Sequence, residues 1–508
     1  VGAVLPSGLA TDDTTKFFFQ DLLTTKSLIS FYEFENEGFF VGAGQGHMVR
    51  FALTSISSPG QAISAAEFLF QGKHIEDLSD AAKKFRLDAD DIRLINPNTL
   101  TAPIFSSALD AEITKSIYRR VPVLIRETKP ENNAWGLRFL RMFDMATDSS
   151  LFRTRENLMA ENFFLKGNRF QTDGLEEYLP LYESKMVYQF NHRYGDFSYG
   201  KPGHRPHVLP DIPVERLGRP DYTPLPFYWV PWVTVRERLG EDSSKPCLFG
   251  WRDVTDARAS ARTTISSVIP MAAAADTWLL MFPKQDTVLS SILVACLNSF
   301  ASDYVTRQKV AGLHLKYHYF KQLAVLPPKT YPQQCPWCGT MQSLQEWLLP
   351  RVLELIYTAW DLEPFAHDCG FDGPPFRWDE ERRFQLRCEL DAAFFHLYLG
   401  SDEEWRRQPE NLTKYFSTPR DAAAYIMEMF PIVKHRDEEK FGTYRTKDTI
   451  LKIYDGLAES QRTGRPYVSP LNPPPGPPTD EYGHFIPMSQ WDPNHWPSHI
   501  HLPRNERL

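Results

Sequence analysis

Hydrophobic and polar positions alternate most clearly over residues 47–56 (HMVRFALTSI), and a period of two predicts a strand there. Apolar runs at residues 1–5 and 27–35 predict two further strands. Between those two runs, residues 14–23 place apolar side chains at helical spacing. Thr11, Asp12 and Asp13 stand in front as N-cap and dipole-compatible residues. The order is strand, helix, strand, strand. A parallel strand with a crossover helix needs parallel neighbours to cover its faces, and none precedes residue 1. The chain is therefore expected to enter an α/β domain partway through its sheet.

Further along, residues 61–93 are charged and helical in pattern, residues 96–103 (NPNTLTAP) are turn-rich, and residues 110–118 predict a short helix. An alternating apolar segment follows around residues 135–143, then an aromatic stretch over 180–199 and a proline-rich one over 201–231 that favours loops and edges. Order returns over residues 252–282. A buried helix is expected at 287–302 and a short strand closed by a proline pair at 323–328. Helical periodicity then dominates residues 343–361, 380–399, 418–430 and 447–462. The end, 471–508, is rich in Pro, His and Asn and predicts an extended tail without packed elements.

A length of 508 residues suggests about three domains, and 42% hydrophobic with 24% charged residues excludes disordered and coiled-coil classes. The net charge of −8 argues against a surface that coats nucleic acid throughout, so a polyanion site has to be a local basic patch. No run reaches the ~20 apolar residues of a membrane helix; the apolar segment 269–282 is interrupted by Asp276. The six cysteines are too scattered for a disulfide framework, and a reducing cytoplasm is the expected setting.

Several motifs invite chemistry without completing it. The glycines between Gly42 and Gly46 suit a nucleotide loop, but a strand rather than a helix follows them. Asn472-Pro473-Pro474-Pro475 lacks the aromatic fourth residue that stacks on adenine. Cys335 and Cys338 form half of a zinc site, with His367 and Cys369 a poor second pair, so ordinary thiols and no metal are expected. The most informative stretch is 303–321 (DYVTRQKVAGLHLKYHYFK), in which Arg307, Lys309, Lys316 and Lys321 are interleaved with aromatic residues. Cations neutralise phosphates while Gln308 and polar rings reach or stack on bases, which makes Arg307, Gln308, Lys309 and Lys316 the first candidates for DNA contacts. Arg252, Arg258 and Arg262, beside the hydroxyl-rich run 260–267, are the second set. A solvated protein face produces the same count of charges, so composition leaves both readings open.

Six segments in order carry a family likeness: VGAVLPSGLATDDTTKFFFQDL, SLISFYEFEN, LYESKMVYQFNHRY, RDVTDARASARTTISSVIP, LNSFASDYVTRQKVAGLHLKYHYFKQLAVLPP and FPIVKHRDEEKFGTYRTK. They resemble large adenine-specific (N6) DNA methyltransferases of type IIG-like restriction-modification and phage-defence systems. The resemblance implies an α/β region at 1–150, the last strands of a Rossmann-like methyltransferase sheet with a connecting insertion. It further implies a mixed α+β target-recognition domain at 151–330, a mainly helical domain at 331–465 and the tail at 466–508. It places the S-adenosylmethionine motif and the Asn/Asp-Pro-Pro-aromatic catalytic loop upstream of Val1, so neither catalytic nor cofactor-binding residues are expected in this chain. The implied partners are double-stranded DNA, whose adenine leaves the stack for reaction, and other defence-system proteins. Asn191, His192 and Arg193 fall in a family-like motif, with bracing of the fold as the alternative role. The competing class is a non-enzymatic interaction subunit of a defence complex.

Overall fold

The four N-terminal elements fold in the expected order: β1 (Gly2–Pro6), a helix at Lys16–Thr24, β2 (Leu28–Asn36) and β3 (Gly46–Ile56). This computed structural model describes all residues except 43–45, 59–60, 175, 200–204, 311, 340–341 and 505–508; most of the 42–46 glycine loop therefore lies outside the described residues. β3 sits between the other two strands and pairs antiparallel with both, Leu53 lying opposite Val4 on one side and Tyr32 on the other. β4 (Ala66–Gly72) joins β2 in parallel and β5 (Phe85–Leu87) closes that side, giving the order β1-β3-β2-β4-β5. β1 is left as an edge strand.

The helical reading of 61–93 is corrected here, since only Ala89–Ile95 is an α-helix and two strands precede it. Phe68, Leu69 and Phe70 are all buried, so the run is covered on both faces and never alternates. Phe68 stacks with Phe70 at 6.1 Å and with Phe85 at 5.9 Å.

Two further sheets follow. One is ordered Trp229–Pro231, Glu177–Tyr182, Arg169–Gln171, Phe164–Lys166, with Ala273–Ala274 parallel to Glu177–Tyr182. The other is ordered Ser266–Pro270, Cys247–Arg252, Trp278–Phe282, Arg138–Leu140. The expected strand at 323–328 is absent and contributes only a bridge between Val123 and Ala324. The expected helix at 287–302 is two helices, Thr287–Asn298 and Phe300–Arg307, bent by 58°. Ser299 causes the break: its extended backbone ends one helix, and its hydroxyl accepts from the Ser302 amide to cap the next. Among the described residues no single helix is long and apolar enough to cross a membrane.

The C-terminal half is helical where its periodicity says, at Leu344–Ile356, Glu380–Leu399, Pro419–Glu428 and Arg445–Thr463, with Pro431–Phe441 in addition. Glu380–Leu399 is the central member, packing against Leu344–Ile356, Phe300–Arg307 and Arg445–Thr463. The tail is not the loose extension expected. Ile500 is fully buried, the Gly476 amide donates to Glu354, and Arg382 donates to the Pro473 and Pro474 carbonyls. Its prolines prevent helix but leave carbonyls free to take buried arginines. One apolar cluster runs from Ala10 to Ile500 and so joins residues on both sides of positions 150, 330 and 465; a second gathers residues between Met142 and Phe282.

Cys335 and Cys338 are bonded to each other as a disulfide rather than standing as thiols. Among the described residues no group of three or more His, Cys, Asp or Glu is arranged to hold a metal.

Candidate nucleic-acid interface

The basic stretch begins on the helix Phe300–Arg307, whose amphipathic pattern buries Asp303 completely. The Asp303 carboxylate accepts from Arg262 Nε at 2.7 Å and from the Thr263 amide, and Arg307 lies 3.7 Å away. Arg262 also donates to the Asn298 carbonyl and lies 3.9 Å over the Phe300 ring. Arg307 donates to the carbonyls of Ala257, Ser260 and Ala261 at 2.8 to 3.0 Å, stapling that loop to the helix, and burial lowers its pKa. A guanidinium with these bonds is not available to a phosphate.

Lys309 is buried still more deeply. Its ammonium donates to the Ile95 carbonyl at 2.6 Å and to Asn96 Oδ1, over the Tyr118 ring, and burial drives its pKa well below that of a free lysine. Gln308 is buried and its carbonyl takes the Ile104 amide. Arg252 donates to the Ser184 and Val187 carbonyls, and Arg258 pairs with Glu35. Burial lowers the pKa of both arginines. Arg262, Arg307, Gln308, Lys309 and Arg252 are therefore braces of the interior, and Arg258 is tied to the first sheet. Extracting such a desolvated, hydrogen-bonded cation would leave its acceptors unsatisfied. In the family-like motif, Arg193 is fully buried, donates to the Arg219, Leu217 and Thr358 carbonyls, and is depressed by burial to a pKa of about 10. His192 pairs with Asp361 at 2.9 Å. Both brace the fold.

Lys316 is the exception. Its side chain is 43% exposed and its ammonium lies 2.7 Å from Asp253, which also accepts from His314 at 2.8 Å. Lys316 lines a surface concavity of about 440 Å³ together with Lys16, Lys321, Asn98, Thr99 and Tyr317. Lys16 is held by Asp13 at 2.8 Å and Lys321 by Glu127 at 2.5 Å. Burial lowers the His318 pKa against the pull of Asp13 and Asp12. The concavity thus offers three ammonium groups, each oriented by one carboxylate, beside a polar rim. That composition suits backbone phosphates rather than base edges. Lys16 was invisible to sequence reasoning because it lies on a helix 300 residues before Lys316, and only the fold brings the two to one surface.

A second feature is the free edge of the first sheet. Among the described residues β1 has a partner on one side only, and Val1 and Val4 are 88% and 57% exposed. Phe17 and Phe18, on the helix that follows, are exposed as well. An apolar edge strand in solvent is a ready template for another strand.

The sequence matches no protein-family profile and no curated protein. Among solved structures the chain is similar to the type IIG restriction endonuclease BpuSI, with 11% identity over 91% of this chain and 47% of that one, at a TM-score of 0.27. It is also similar to the type IIL restriction-modification enzyme MmeI in complex with DNA, with 9% identity over 90% of this chain and 50% of that one, at a TM-score of 0.32. The chain spans about half the length of each. Superpositions this loose fix neither fold nor function.

Proposed function

We propose that this chain is the DNA-recognition portion of an S-adenosylmethionine-dependent adenine-N6 DNA methyltransferase of a restriction-modification or phage-defence system. The observation that carries the reading is the open apolar edge of β1, which suits pairing with further strands of a methyltransferase sheet supplied from outside these residues. The six ordered segments of family-like sequence support it, and the lysine concavity supplies a surface for the duplex.

The two motif-like stretches do not suit a cofactor or catalytic loop. The glycines at 42 and 46 lead into β3 instead of a helix N-terminus. The Pro473 and Pro474 carbonyls are occupied by Arg382, so that stretch is a structural tie. No step of methyl transfer is assigned to these side chains.

The test is fluorescence anisotropy with a labelled duplex at a series of salt concentrations. Expected is binding that weakens steeply with salt, because each neutralised phosphate releases counterions and contributes about −0.9 to the log–log slope. No binding at about 50 mM salt would refute the reading. It would then favour the interaction-subunit alternative, for which the exposed Phe17 and Phe18 on the helix after β1 are the specific support.

A further inference from the structure

A cavity beside the buried arginines lies away from the lysine concavity. It has a volume of about 430 Å³ and is enclosed by the segment around Tyr188–Tyr194, the first turns of the helix Glu380–Leu399 and the helix Pro431–Phe441. One wall is aromatic: Tyr188 and Tyr194 stack with centroids 4.8 Å apart and planes at 26°, and Trp378 and Phe384 stand near them.

The cationic side of the cavity is unusual for this protein, in which most arginines are tied to carboxylates or carbonyls. Arg383 is fully buried and lies 3.8 Å over Trp378. Its terminal nitrogens donate to the Leu355 and Phe190 carbonyls, but its Nε has no acceptor. Among the described residues the side chains of Arg387 and Arg436, which also line the cavity, make no hydrogen bond and no ion pair. The Arg387 and Arg436 guanidiniums are therefore the donors at this wall left without a protein acceptor. Asn191 also lines the cavity, its side-chain oxygen accepting from the Arg193 amide while its NH2 group has no partner among the described residues. The carboxylates that also line the cavity are largely engaged: Asp437 accepts from the Thr446 amide, Glu380 from Trp378 Nε1 and Asp391 from the Phe300 amide. Asp211 stands at the rim.

We propose that this cavity binds a nucleotide, with the base flat against the Tyr188–Tyr194 and Trp378 wall and the phosphate on Arg387 and Arg436. Rings with exposed faces accept any base by stacking, guanidinium forks match phosphate oxygens, and an amide supplies polar contact to a base edge. The volume falls within the roughly 300–1,000 Å³ typical of small-molecule sites. The proposal does not rest on the methyltransferase reading. The same chemistry is presented by a free mononucleotide and by one unstacked nucleotide of a single strand.

Isothermal titration of the full chain with AMP, GMP, CMP and UMP tests it, with adenosine and inorganic phosphate as the two halves of the ligand. At least one monophosphate should bind about tenfold or more tighter than either half. Arg387→Ala combined with Arg436→Ala should lose about tenfold or more. Those two side chains hold no structural tie, so the variant keeps its fold where Arg383→Ala risks losing it. Tyr194→Ala should weaken binding while costing no more than the stack on Tyr188, about 0.5–1.5 kcal/mol of stability. Competition by a single-stranded oligonucleotide would make nucleic acid the source of the nucleotide, and absence of competition a free nucleotide; either result upholds the site. Absence of heat with all four monophosphates at millimolar concentration would overturn the proposal. So would unchanged affinity in the double variant, or phosphate alone binding as well as the nucleotides.

Discussion

Replacing Asp303 by alanine tests whether the arginines of the basic stretch serve the interior or DNA. In the native fold Asp303 accepts from Arg262 at 2.7 Å and from the Thr263 amide, with Arg307 at 3.7 Å, and none of these groups has water to replace it. Asp303→Ala leaves the Arg262 cation buried without its counter-charge. Removing one partner of a buried pair costs about 3–5 kcal/mol. Arg262 retains the Asn298 carbonyl, which places the expectation toward the lower end. For a cooperative unit of about 150–250 residues each kcal/mol lowers Tm by about 2–4 °C, so calorimetry should show a fall of about 6–20 °C. Adding Arg262→Met to Asp303→Ala removes the stranded charge and should recover part of that loss. Arg262→Met alone should lower Tm and, measured below its melting range, change duplex affinity by less than about tenfold. The reasoning fails if Arg262→Met melts with the wild type and abolishes DNA binding, because the arginine would then be serving the duplex.

Lys16→Ala with Lys321→Ala should weaken duplex binding and make the log–log salt slope shallower by about 0.9 for each phosphate left without its ammonium. Each lysine is held by a surface carboxylate worth about 1 kcal/mol or less, so melting should barely move; an unchanged slope would remove the concavity as the interface. His396, stacked on Tyr454 at 3.7 Å, is lowered by burial to a pKa of about 4. The unfolded chain, near 6.5, then binds more protons between those pH values. The stability His396 contributes is complete above pH ~6.5 and is lost at about 1.4 kcal/mol per pH unit as pH falls towards ~4. Asp391, raised by burial to about 6, acts in the opposite sense over an overlapping range. Urea titrations of His396→Gln against wild type at several pH values therefore isolate the histidine, and parallel curves would contradict its assignment. Phe17→Asp should leave stability within about 0.5 kcal/mol by urea titration, since the ring is 73% exposed. A large fall in stability would mean that this surface is already packed.

Elements whose period is strong and local were legible along the chain. The helix Glu380–Leu399 falls on its predicted boundaries, and β2, β3 and the helix between β1 and β2 lie within a few residues of theirs, because each keeps a continuous apolar pattern of its own. β4 was missed because Phe68, Leu69 and Phe70 are covered on both faces and carry no alternation. For the interface, the residue types were legible and their roles were not. A cation in a local sequence looks the same whether it ends in water or on a carbonyl, and the acceptors of Lys309 and Arg307 come from residues about 210 and 50 positions away. Only in the folded chain do Arg307, Lys309 and Arg262 turn inward while Lys316 meets Lys16 at the surface. Burial of a charge is set by whichever distant backbone covers it, and periodicity along one segment carries no record of that cover.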